Sequence, residues 1–74
     1  MAEVPTVKSL ADEHGKVPCP ENFGDDGNAL ALVVSTTTVL RRNKWPKEAI
    51  EHWTQLALSG DYDHVIRSCL AVFE

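Results

Sequence analysis

Two pairs of residues able to bind a metal or to act as a base and a nucleophile stand at the same spacing in this chain. His14 precedes Cys19 by five positions, and His64 precedes Cys69 by five. Two imidazoles and two thiols are the donor set of a tetrahedral zinc site. The spacing argues against it. On a helix, five residues turn through about 500°, which leaves His64 and Cys69 roughly 140° apart, whereas neighbouring ligands need a separation of three or four. Cys69 also falls in the apolar series Ile66, Cys69, Leu70 and Phe73, where a thiol behaves as a small hydrophobe and burial raises its pKa instead of activating it. Neither cysteine carries a nucleophile signature, and no set of nucleophile, base and orienting group can be assembled from the sequence. So small a chain also has little room for a substrate cleft. We expect no catalytic residue, no metal site and no cofactor, with His52 on the edge of its helix.

The other chemically suggestive group is basic and aromatic. Arg41, Arg42, Lys44 and Lys47 surround Trp45 in one seven-residue node. Its isolation shows when the charges are counted by segment. Residues 1–28 hold six acids against Lys8 and Lys16; residues 29–47 hold four bases and no acid; residues 48–74 hold five acids against Arg67 alone. The formal charge of −4 therefore hides a strong segregation. Cations beside an aromatic ring suit an acidic peptide or a stacked single-stranded base. A plainer account of the same residues has Arg41 and Arg42 balancing a helix dipole, Lys44 and Lys47 solvating a connection, and Trp45 packing on Ile50 or a neighbouring helix.

The elements that must position these groups are helices. Ile50, Trp53, Leu56 and Ala57, then Tyr62, Val65, Ile66, Cys69, Leu70 and Phe73, recur at helical spacing on either side of Ser59-Gly60-Asp61. Pro46 suits the first helical position, with Glu48 at the third; Gly60 suits a left-handed helix end, and Asp61 an N-cap. This predicts a helical hairpin with one apolar face. Residues 28–43 contain Val33, Val34, Thr36, Thr37, Thr38 and Val39, which favour a strand by propensity. Length decides for a helix: about fifteen residues without a breaker exceed an ordinary strand, Asp25, Asp26 and Asn28 serve its start, and Arg41 and Arg42 its end. Residues 29–34 are apolar all round and so call for cover on more than one side. Near the start, Thr6 can cap a short helix carrying Val7, Leu10 and Ala11, with Gly15 to end it. Pro18, Pro20, Gly24 and Gly27 make residues 16–27 an irregular loop, pinned on the core by Val17, Cys19 and Phe23.

Seventy-four residues, 43% of them hydrophobic and 24% charged, describe one small folded domain and not a disordered chain. We expect an all-α fold: a small helical bundle of three main helices, about 28–42, 46–58 and 61–73, with a short N-terminal helix and the Pro/Gly loop, all in a single domain over 1–74. No secretory signal and no membrane-length apolar run is present, so a cytoplasmic location with two free thiols is expected. The function these features favour is non-catalytic binding of another macromolecule, a protein first, as an adaptor, inhibitor or regulatory subunit. The partner-binding residues would be Arg41, Arg42, Lys44, Trp45 and Lys47. Self-association is a further expectation, because pairing is one way for so short a chain to enlarge its core. The alternative is a nucleic-acid-binding module of helix-turn-helix outline using the node 41–47. Its would-be recognition helix opens on Asp61 and Asp63 and offers only Arg67 as a cation, a poor match to a polyphosphate.

Overall fold

Among the described residues four helices form in chain order: α1 (Val7–His14), α2 (Ala29–Arg42), α3 (Lys47–Ala57) and α4 (Tyr62–Val72). They are taken from a computed structural model that describes residues 6–24 and 27–74. The expectations placed on residues 1–5 and on Asp25 and Asp26 lie outside these residues. The all-helical reading holds, and the element boundaries fall within a residue of those expected.

The ambiguous segment is a helix because burial follows a helical and not an alternating period. Leu32, Val33, Thr36 and Leu40 are its buried residues, one face of a helix. The threonines that argue for a strand are accommodated by turning their hydroxyls back onto the helix. Thr36 Oγ1 donates to the Leu32 carbonyl at 2.9 Å, Thr37 Oγ1 and Thr38 Oγ1 to that of Val34 at 3.0 and 2.8 Å. Thr36 is thus fully buried without an unsatisfied hydroxyl. Asn28 caps this helix, its side chain accepting from the Leu30 amide at 2.9 Å. Thr6 and Ser9 cap α1 reciprocally, and Gly15 ends it with φ of 91°.

The α3–α4 hairpin is the centre of the molecule. Both α1 and α2 pack against it, while α1 and α2 do not pack against each other. Its buried residues are Ala49, Trp53 and Ala57 from α3 and Val65, Ser68, Cys69 and Val72 from α4. Trp53 is fully buried and still satisfied, because its Nε1–H donates to the Ser68 carbonyl at 3.1 Å across the hairpin. Ile50 and Leu56 are only partly buried, and Tyr62 and Leu70, expected on the apolar face, are exposed. The face is narrower than the sequence implies because α4 meets α1, α2 and α3 on one side only.

The cover expected over 29–34 is also incomplete. Leu32 and Val33 are buried, but Leu30 and Val34 are each 61% exposed. Since α1 never reaches α2, nothing among the described residues is left to close the outer face.

Two further corrections concern the punctuation. Pro46 is the N-cap of α3 and not its first residue, so Glu48 sits at the second helical position. Gly60 does not adopt positive φ; α3 ends on Leu58, and glycine is needed for space. A Cβ at position 60 would lie 2.7 to 2.9 Å from Cγ, Cβ and Cδ2 of His64. That ring is fixed where it is. Its Nε2–H donates to the Leu56 carbonyl at 2.7 Å, and the His64 amide donates to the Asp61 carboxylate at 2.9 Å. The same carbonyl accepts from the Ser59 amide at 3.3 Å and from the Ser59 hydroxyl at 2.6 Å, so His64 adds a further donor at the end of α3.

The loop between α1 and α2 is tied down at two points. Val17 pairs with the end of α4 in a single parallel β-bridge: its amide donates to the Val72 carbonyl at 2.8 Å and its carbonyl accepts from the Glu74 amide at 2.9 Å. Phe23 meets Phe73 edge to face, centroids 5.0 Å apart. Cys19, expected to help, is exposed and does not.

Candidate functional site

The basic node occupies the link between α2 and α3, and its backbone explains its shape. The chain leaves α2 through a complete Schellman motif. The Lys44 amide donates to the Arg41 carbonyl and the Trp45 amide to the Leu40 carbonyl, each at 3.1 Å. The motif requires its central residue in the left-handed region, where glycine is the usual occupant. Here it is Lys44, with φ of 66°, the one non-glycine with positive φ among the described residues. Leu40 and Trp45 are both buried, which supplies the apolar contact that accompanies such an ending.

Trp45 lies inward. It is 5% exposed, its Nε1–H donates to the Gly15 carbonyl at 3.1 Å, and its ring stands 5.2 Å from that of His14 at a tilt of 47°. The indole therefore fastens the start of α3 to the end of α1. Only a small part of it is exposed, at the wall of a cup between α2 and α3, which leaves little ring face on which a base could stack.

The four cations behave differently. Arg41, Arg42, Lys44 and Lys47 are all exposed, and none forms an ion pair among the described residues, where the pairs are His14 with Glu13 and Arg67 with Asp63. Arg41 and Arg42 lie in the last turn of α2, where the helix dipole favours positive charge. Between α2 and α3 the node encloses a cup of about 400 Å³, lined by Arg41, Trp45, Lys47, Ile50 and Glu51. Arg41, Lys47 and Trp45 belong to the node expected from the sequence, Ile50 was expected there only as packing for Trp45, and Glu51 was not expected there. Ile50 and Glu51 do follow Lys47 by three and four positions, the spacing of one helical face.

The other chemically suggestive groups do not converge. Cys69 is fully buried, its thiol 3.9 Å from the Leu32 carbonyl. Burial pushes its pKa up, opposed in part by a hydrogen bond with Thr36. Cys19 is exposed on the loop. Glu13, His14, Glu48 and His52 line a shallow cleft between α1 and α3, yet among the described residues no three histidine, cysteine, aspartate or glutamate side chains come together as a metal site. On α4, Asp61 is spent on its own N-cap and Asp63 holds Arg67 at 3.1 Å.

The fold and node thus define a small helical protein with a segregated basic surface. No known family model, curated protein or solved structure matches the chain. No described helix is long and apolar enough to cross a membrane.

Proposed function

We propose that this protein is a non-catalytic binder of another macromolecule, a protein, and that the node formed by Arg41, Arg42, Lys44 and Lys47 is the contact surface. The observation that carries this reading is the set of four exposed cations with no ion pair among the described residues. Electrostatic complementarity of this kind steers encounter and selects partners more than it adds raw affinity. Trp45 acts beneath the surface, holding the link between α2 and α3 in place. Lys44 adds support: a backbone position that suits glycine carries a cation instead, and strain of that kind is commonest where a side chain is needed for function.

Nucleic-acid binding through the same node is the weaker reading. Trp45 has little open ring face, and the only cation of α4, Arg67, is paired with Asp63.

The test is capture by the immobilised full chain, comparing wild type with the double variant Arg41→Glu, Arg42→Glu. Partners bound through the node are lost from the variant while its circular dichroism spectrum is unchanged; equal capture by both removes the node. A band shift with mixed DNA and RNA that weakens steeply with salt would replace the protein reading by the nucleic-acid one.

A further inference from the structure

Resting on the protein-binding reading above, we propose that the node recognises an acidic peptide segment through one bulky apolar side chain, seated in the cup between α2 and α3 with flanking carboxylates on Arg41 and Lys47. The cup has two kinds of wall. Trp45 and Ile50 supply apolar surface, and the indole N–H, engaged with the Gly15 carbonyl at 3.1 Å, adds no donor. Arg41 and Lys47, which form no ion pair among the described residues, supply positive charge at the same opening. An inorganic anion would leave the apolar wall unused, and an uncharged apolar segment would leave the cations unused. A segment carrying both features uses all four residues. At about 400 Å³ the cup lies toward the lower end of ligand clefts, about 300–1,000 Å³, which suits a single anchoring side chain.

Glu51, the remaining wall, gives the site direction. Its carboxylate repels acids of the peptide from one side, so they are directed toward Arg41 and Lys47 and away from Glu51. The buried indole cannot stack a base, and the apolar wall matches no part of a phosphate backbone, so a nucleic acid fits less well than a peptide. Exposed ion pairs contribute little each and are screened by salt, so the apolar anchor decides the affinity and the cations decide which anchors are accepted.

The experiment titrates the ¹⁵N-labelled full chain with three probes, following amide and indole resonances. The probes are the peptide Asp-Glu-Asp-Phe-Asp-Glu-Asp, the same peptide with alanine in place of phenylalanine, and an oligothymidylate. The phenylalanine peptide is expected to shift Arg41, Lys47, Ile50 and the Trp45 indole N–H, and to bind at least about fivefold more tightly than the alanine peptide, as a truncated anchor requires. Lys47→Glu, an exposed position in the first turn of α3, is expected to weaken it about threefold with an unchanged spectrum elsewhere. Equal affinity for the two peptides overturns the cup, as do shifts with oligothymidylate alone. If equal peptide binding is still abolished by Arg41→Glu, Arg42→Glu, the cup is refuted and the node stands. If no probe moves a node resonance and the double variant captures partners as well as wild type, both readings are lost.

Discussion

At the scale of single residues, Lys44 separates what the fold wants from what the surface carries. The left-handed region costs an ordinary residue roughly 1–2 kcal/mol, of which glycine gives back about 0.5–1 kcal/mol through its freer unfolded chain. Lys44→Gly should therefore stabilise the protein by about 0.5–1 kcal/mol. That corresponds to a thermal midpoint several degrees higher, at about 4–8 °C per kcal/mol for a domain of this size, read by thermal circular dichroism. Partner capture should fall in the same variant, because one of four cations is gone. The cysteines make a second contrast. Cys19, exposed, should alkylate at neutral pH in the native state, and Cys69 only on unfolding, as mass spectrometry of timed samples will show. Burial raises the Cys69 pKa, so the folded state holds its proton where the unfolded state has begun to lose it. The contribution to stability is then full below the ordinary value of 9.0 and declines as pH rises above it; Cys69→Ser should flatten that alkaline limb in denaturant titrations.

At the scale of elements, the α3–α4 turn depends on a close approach rather than on a special backbone angle. Gly60→Ala puts a methyl group within 2.9 Å of a His64 side chain that is held by the Leu56 carbonyl and followed by a capped helix start. Overpacking of this kind costs typically about 1–3 kcal/mol, so the urea midpoint should fall with little change in slope. A midpoint equal to wild type would mean that the ring swings aside freely. Helical period, Asn28, Asp61, Thr6 and Gly15 were legible in the sequence because caps and periodicity are local, set by residues within one turn of each other. Gly60 was legible as a turn and not in its reason, since His64 comes down onto it only once α4 has packed on α3. The Schellman ending at Lys44 escaped for the opposite cause: a lysine stands where the local rule names glycine, and only the burial of Leu40 and Trp45 holds it there.

At the scale of the whole molecule, the loop and the C-terminus close the structure on each other. Phe73 is buried, meets Phe23 edge to face and follows the strand-like contact of Val72 with Val17. Phe73→Ala should cost about 3–5 kcal/mol, a large share of the about 4–11 kcal/mol expected for a domain this long, and should release the loop. Hydrogen exchange checks this: the Val17 and Glu74 amides, both bonded in the bridge, should lose protection before the amides of α3.

By itself the sequence determined that this chain is helical, where its helices begin and end to within a residue, and that four of its seven basic residues are gathered in one node. Those properties follow from periodicity, capping chemistry and composition, which act along the chain. The tertiary structure alone decided which faces are covered. Leu30 and Val34 stay exposed because α1 packs on the hairpin and not on α2; Trp45 turns inward to the Gly15 carbonyl; and Ile50 and Glu51 join the cations around a cup. Burial is settled by which elements meet, and the elements among the described residues do not cover every apolar side that the sequence carries.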